Sequence, residues 1–406
     1  MKKEVKFKLI IVLFNAALLF GGTFALFWYD IVSFDWSRAL EKDYQYSQSK
    51  KKDKRILIIG DSQLEEHIAV RSLHKLIESF CRENEIGFAN AAHYGFGPIE
   101  YLDQAKKYIP DYKPDLIIIF YNAFNDLTDV MNRHEGQGVK ESHDIFILDP
   151  DSSVTYVDSQ IEDSIAIASI DSEPEKPAMA TLRNPDDFDW DEFYRKGIDP
   201  ALIQQAKEGL SKSFTRSEGI INPHLLVTAV WQPEYLRYNL SVDEAHSRFA
   251  WYRTTKLFQK VFELAGHHGS RVAIVVIPST LQIDDSHYEF FRRLNMFVDS
   301  SWMKQSTPQL LVKRMCRASN AILIDPLENF RNRELDSIYY LNDDHLNDNG
   351  QNALFEYLKS TLLMSYQKGN MDSLGLVVPI DHYKEYNQWK RDFYTRRFLD
   401  RIDLNY

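Results

Sequence analysis

Four short apolar runs constrain this chain most: Arg55–Ile59 (RILII), Asp115–Tyr121 (DLIIIFY), Arg271–Ile277 (RVAIVVI) and Ala321–Ile324 (AILI). A strand with one wet face alternates apolar and polar residues; these runs are apolar almost throughout, as strands of a parallel sheet covered on both faces are. Ile86–Ala91 is a further strand candidate. Helical patterns separate the runs: Leu64–Arg82, with Ile68, Leu73, Leu76, Ile77 and Phe80 on one face; Pro98–Tyr108, with proline in the first turn; about 250–265; and Gln351–Leu363. Strand and helix in alternation predict a doubly wound α/β sandwich of three layers around a central five-stranded parallel sheet.

The third and fourth strands are separated by some 150 residues, far more than a crossover needs. We expect an insertion over about 130–245 beside the site, acidic between Asp149 and Asp191, in which DIFILD and VTYVDS could pair as a hairpin. Asp and Glu number 59 against 48 Lys and Arg, a net charge of −11, so the chain lacks the cationic surplus that nucleic-acid binding demands. Its two cysteines, Cys81 and Cys316, cannot build a disulfide framework or a four-cysteine zinc site. Two separate buried thiols are favoured over a single disulfide.

Leu9–Tyr29 carries no charge over 21 residues, which as a helix is about 31 Å, the thickness of a bilayer's hydrocarbon core. Lys2, Lys3, Lys6 and Lys8 precede it and Phe27, Trp28 and Tyr29 close it, a pattern that leaves the N-terminus in the cytoplasm and the following domain outside. A cleaved signal peptide and a buried core helix are the competing readings. The length of the run and the poor cleavage site at Thr23-Phe24-Ala25 favour an anchor, whereas Lys50, Lys51, Lys52, Lys54 and Arg55 oppose translocation. The expected organisation is a cytoplasmic segment 1–8, a single-pass anchor 9–29, a linker 30–54, a domain 55–365 and a C-terminal extension 366–406. In that extension Trp389, Phe393 and Phe398 alternate with basic residues, suiting docking on the domain or on anionic lipid.

Chemistry gathers at three strand ends and one late loop. Gly60-Asp61-Ser62 follows the first strand, where a hydroxyl at a helix N-terminus would face the crevice; Ser62 or Asp61 could equally cap that helix. Gly95, in His93-Tyr94-Gly95-Phe96-Gly97, could turn an N–H toward a ligand or simply serve a turn. Asn125, in Asn122-Ala123-Phe124-Asn125-Asp126, could donate to an oxyanion or cap a turn. His345, with Asp343 two residues earlier, makes a base with an orienting acid.

The order of the four blocks resembles that of the SGNH/GDSL hydrolases, which carry Ser, Gly, Asn and His at successive strand ends and in a late loop. PDLIIIFYNAFND, IVVIPS and IYYLNDDHLNDNGQ look like that superfamily's third block, fourth strand and last block, and the likeness covers about 55–126 and 270–363. The resemblance implies a flavodoxin-like fold. It also implies Ser62 as nucleophile, His345 as base, Asp343 as its acid, and an oxyanion hole of the Ser62 N–H, the Gly95 N–H and the Asn125 side chain. No metal or cofactor is required. Two departures stand out. Many members have the acid three residues before the histidine, where this chain has Asn342, and Ala123-Phe124 replace the glycine before Asn-Asp, bulk that would narrow the acyl pocket or reshape the oxyanion hole.

What is expected is a serine esterase or O-acyltransferase acting through an acyl-Ser62 intermediate on ester substrates of carbohydrate or lipid, O-acyl groups of envelope glycans above all. A membrane acyltransferase is a candidate partner. The contrasting expectation is an anchored glycan- or partner-binding protein that kept the fold without turnover.

Overall fold

The computed structural model describes residues 46–65, 69, 72–132, 145–148, 154–157, 188–211, 221–243, 245–304, 306–332 and 337–370. The anchor run 9–29 and the extension beyond 370 lie outside them. Among the described residues no helix is long and apolar enough to cross a membrane.

Five parallel strands form the central sheet: β1 (Arg55–Ile59), β2 (Gly87–Asn90), β3 (Leu116–Asn122), β6 (Arg271–Ile277) and β7 (Ile322–Ile324), in the order β2-β1-β3-β6-β7. Register is continuous across the centre, with Ile58 opposite Asn90 and Ile118, and Ile118 opposite Ala273. The run of apolar residues splits by period two. Ile56, Ile58, Leu116, Ile118, Phe120, Ala273 and Val275 join one buried cluster, while Leu57, Ile59, Ile117, Ile119 and Ile274 point to the other face and are equally dry. A strand with water on one side could not carry such a sequence.

The helices, in chain order, are α1 (Leu73–Glu83), α2 (Pro98–Tyr112), α3 (Asp126–Asn132), α4 (Trp190–Arg195), α5 (Pro200–Ser211), α6 (Pro223–Trp231), α7 (Tyr235–Leu240), α8 (Ala245–His267), α9 (Ser286–Arg293), α10 (Thr307–Ser319), α11 (Leu327–Arg331) and α12 (Asp348–Leu358). α1 and α12 pack together on the first face, with Leu73, Ile77, Phe80, Leu354 and Leu358 in the cluster. α8 packs on α2 and α3 opposite, where Tyr121 of β3 meets the rings of Trp251 and Phe258 edge-on. α2 begins as its sequence dictates, with proline at the first position and the Glu100 carboxylate accepting the Gly97 N–H at 3.0 Å. It runs one turn past Tyr108, to a left-handed Lys113.

One expected helix is cut short. The pattern from Leu64 to Arg82 gives only a three-residue 3₁₀ turn, Ser62–Leu64, before the backbone extends at Glu65, and α1 starts at Leu73. The reason is tertiary: the Leu73 N–H is taken by Gln351 Oε1 from α12, at 2.8 Å, which supplies a side-chain cap from the far end of the chain.

In the expected insertion, β4 (Ile145–Leu148) and β5 (Val154–Val157) pair antiparallel as anticipated. Later come α4 to α7, whose apolar side chains build a second core with α9: Phe193, Leu202, Leu226, Leu236 and Phe291 are all buried there. Cys81 and Cys316 are separate buried thiols, with Cys316 inside α10.

Candidate active site

The sheet delivers its chemistry at the carboxyl ends of β1 and β3. β1 ends at Ile59; Gly60 then passes so close to the core that a Cβ there would stand 2.6 Å from Leu64 Cδ1 and 3.1 Å from Phe120 Cβ. Any larger residue there would have to push the Leu64 side chain aside. Asp61, fully buried, caps the following 3₁₀ turn by accepting the Gln63 N–H at 3.0 Å, and its other oxygen accepts from Asn122 Nδ2 at 2.8 Å. Burial pushes the Asp61 carboxyl above the usual range, and these hydrogen bonds pull it back.

Ser62 thus heads a turn anchored to both β1 and β3. Its Oγ lies 2.9 Å from His345 Nε2, and His345 Nδ1 lies 2.8 Å from Asp343 Oδ1. Ser62 and His345 come from positions 283 residues apart in sequence, and the three side chains are all buried, Asp343 completely. Asp343 is therefore the acid beside the base, two residues before it; Asp344 Oδ1 stands farther off, at 3.3 Å. Asn342, at the position where many SGNH/GDSL hydrolases carry the acid, adopts a left-handed φ of 59°.

The histidine loop is held from three sides. The Gln63 side chain donates to Asp344 O at 3.0 Å and accepts the Leu346 N–H at 3.1 Å. Gln351 Nε2 donates to Gln63 O at 3.1 Å. Gly350 packs so tightly on the strand-like segment below that a Cβ would fall 2.1 Å from Ile338 O, and Asn347 caps α12 through the Gly350 N–H at 3.0 Å. From the insertion, Asn222 Nδ2 lies 3.4 Å from Asp343 Oδ1, and its N–H reaches Asn342 O.

The third block behaves differently from the first and last. Asn125 Nδ2 donates to Asp129 Oδ2 at 3.2 Å; an amide nitrogen carries two protons, so one donor remains for an oxyanion. Gly95 has φ +71°, which suits glycine, and lies exposed with open space around its Cα. No hydrogen bond joins Gly95 or Asn125 to Ser62. Asp126 is not at the surface of the site but beneath it, accepting the Asn122 N–H and the Tyr101 hydroxyl, both at 3.0 Å. Burial, then the nearby Asp61 charge, pushes its carboxyl well up. Phe124, expected to crowd the acyl pocket, is 3% exposed and turns into the second core, against Tyr235 and Phe291 at ring-centroid distances of 5.4 and 5.9 Å. Phe124 thus packs with the insertion's side chains in the second core.

Gln63, Asn122, Asn222 and Gln351 are the supporting residues that the sequence did not disclose. Each acts on a partner remote in the chain or through backbone atoms, and neither leaves a local pattern; only Asn122, a polar side chain ending an apolar strand, carried a signal.

Asp343, Asp344 and His345 could also offer a metal three ligand atoms within 4.8 Å of one another. Both His345 nitrogens, however, are engaged by Ser62 and Asp343, so ligation would break one of the hydrogen bonds that define the site.

The serine turn thus follows the first strand, and histidine and acid come from the last loop. No family model and no curated protein matches the chain. Among solved structures it is similar to a GDSL-like lipase from Bacteroides thetaiotaomicron, at 10% identity and a TM-score of 0.36 over 82% of this chain and 98% of that one. It is similar also to a lipase/acylhydrolase from Enterococcus faecalis (11%, 0.35, 78% and 96%) and to an acetyl xylan esterase (11%, 0.33, 76% and 99%). The site geometry, rather than these distant likenesses, supports the SGNH-like reading that follows.

Proposed function

We propose that the protein is a serine ester hydrolase of the SGNH type. The observation that carries the reading is the unbroken buried line Ser62 Oγ, His345 Nε2, His345 Nδ1, Asp343 Oδ1. Ser62 Oγ attacks the acyl carbonyl while His345 Nε2 takes its proton; Asp343 holds the Nδ1–H tautomer and balances the imidazolium. Collapse of the tetrahedral intermediate expels the alcohol, which takes its proton from His345, and leaves acyl-Ser62. Water, deprotonated by the same histidine, then releases the acid. A sugar hydroxyl in place of water makes the same site an O-acyltransferase. The oxyanion is assigned to the Ser62 and Gly95 N–H groups and the second Asn125 amide proton.

For the substrate we take O-acyl groups of envelope glycans or lipids. This finer step is supported by the uncharged run 9–29 with lysines before it, read as an anchor that holds the domain outside the membrane. A reporter fused after Tyr406 should be active only outside the cytoplasm; a cytoplasmic signal sinks both the orientation and the envelope substrate.

The catalytic reading is tested by turnover of p-nitrophenyl acetate and acetylated glycans, with Ser62→Ala and His345→Ala as controls. Wild type should exceed both by a factor of about 10³ or more, and a fluorophosphonate should label it but not Ser62→Ala. Equal rates in all three proteins, with no labelling, would leave an SGNH-like binding protein.

A further inference from the structure

We infer that a cavity behind the histidine loop is a subsite for a neutral polyhydroxylated ligand, the sugar portion of an acyl ester; this deepens the ester-hydrolase reading and rests on it. The cavity has a volume of about 310 Å³ and lies between α5, α9 and the residues just before Asp343, within the size range of small-molecule sites. Ser62 does not line it.

Its lining selects the ligand class. Arg293 is paired with Asp199, Nε to Oδ2 at 2.7 Å, and Glu289 faces Arg292 at 3.4 Å, so each charge of the lining already stands beside an opposite one. The lining also offers the Gln205 amide and the Ser286 hydroxyl, groups that both donate and accept, with Asn342 at its edge. His287 joins them, 2% exposed and with Nδ1 lacking any hydrogen-bond partner; burial lowers its basicity toward the neutral imidazole, again one donor and one acceptor. Leu341, 62% exposed, offers an apolar edge at the same cavity. Mixed donors and acceptors beside an apolar edge suit a sugar ring, whose hydroxyls lie around its rim and whose C–H groups form a face. Because Asn342 is covalently next to Asp343, a sugar held here sits against the loop that carries the base.

The test uses the full chain in detergent, as Ser62→Ala, with methyl glycosides of glucose, galactose and N-acetylglucosamine as probes, inorganic phosphate as the anionic control, and ligand-observed NMR as readout. Ser286→Trp and Gln205→Trp fill the cavity from two different helices at exposed positions, and the unfolding midpoint checks that each still folds. At least one glycoside should bind, phosphate should not, and both tryptophans should cut the saturation signal at least fivefold. On the Ser62 background the same substitutions should lower the ratio of kcat/KM for an acetylated methyl glycoside over that for p-nitrophenyl acetate at least tenfold. No glycoside binding, phosphate binding in its place, or binding that survives both tryptophans in folded protein overturns the inference. Glycoside binding that the tryptophans abolish, in a protein that turns over no ester, instead sinks the ester-hydrolase reading and leaves the ligand class standing.

Discussion

Gln63 holds His345 from the residues on either side of it, donating to Asp344 O at 3.0 Å and accepting the Leu346 N–H at 3.1 Å. Because Gln63 directly follows Ser62, one side chain couples nucleophile to base across the whole chain. Gln63→Leu removes both bonds and strands the Leu346 N–H, a buried donor whose loss of partner costs about 1–3 kcal/mol. The expected result is a less stable protein in urea unfolding and a kcat lowered by about 10- to 100-fold, since small misplacements of catalytic groups cost that much. Unchanged kcat in a folded variant would show that the loop keeps its geometry without Gln63.

Two acids stand beside His345, and geometry ranks them. Asp343 Oδ1 is 2.8 Å from Nδ1 and Asp344 Oδ1 is 3.3 Å; Asp343 also accepts the Asp344 N–H at 2.8 Å, which fixes its carboxylate. Asp343→Asn should lower kcat by about 10³- to 10⁴-fold, as loss of the tautomer-setting acid does in serine triads generally, whereas Asp344→Asn should cost less than about tenfold. Burial raises the Asp344 carboxyl, so this acid is poorly suited to stay charged beside the imidazole. Reversed magnitudes in steady-state kinetics would reassign the acid.

Asp126 ties stability to pH. In an unfolded chain its carboxyl ionises near about pH 4, while in the fold burial and the Asp61 charge hold its proton to higher pH. The folded state therefore binds more protons in that window, and stability falls as pH rises through the folded value. Asp126→Asn cannot titrate and keeps an acceptor for the Asn122 N–H. The difference in melting temperature, wild type minus variant, should grow as pH drops toward about 4; a flat difference would mean that Asp126 is not the group responsible.

The insertion reaches the triad through Asn222, whose Nδ2 lies 3.4 Å from Asp343 Oδ1. That bond is long, so its contribution is about 1 kcal/mol, below the usual value for a charged acceptor. Asn222→Ala should reduce kcat by roughly fivefold with little change in KM. If KM rises and kcat holds, Asn222 instead contacts substrate.

Phe124 is the seat of the second core, between Tyr235 and Phe291. Phe124→Ala should cost about 3–5 kcal/mol of stability, the usual loss for emptying a buried phenyl site, measured by denaturant unfolding. A variant that gains activity on longer acyl chains at unchanged stability would restore the expectation that Phe124 crowds the acyl pocket.

Particular residues show how far the sequence could be read. The runs RILII, DLIIIFY and RVAIVVI announced a doubly covered parallel sheet because an apolar residue on every position of a strand has no other stable use. Gly60, Ser62 and His345 stood out because a glycine turn after a strand, a hydroxyl at its end and a histidine beside an acid are restrictive local patterns, and the resemblance supplied their expected roles. α1 was misjudged by nine residues at its start, since Gln351, remote in sequence, supplies its cap. The packing of Phe124 against Tyr235 and Phe291 could not be read from the sequence, because a side chain's direction depends on what is packed against it.

By itself, then, the sequence determined the class of fold and the strands that carry the candidate site, which follow from the period of apolar residues, while its likeness to the SGNH/GDSL hydrolases singled out Ser62, Asp343 and His345. Only the tertiary structure brought Asp343 to within 2.8 Å of His345, turned Phe124 into the second core, paired Asn125 with Asp129, and set Gln63 and Asn222 against the histidine loop. Those outcomes depend on distances between atoms far apart along the chain, and such distances exist only once burial has brought the segments together.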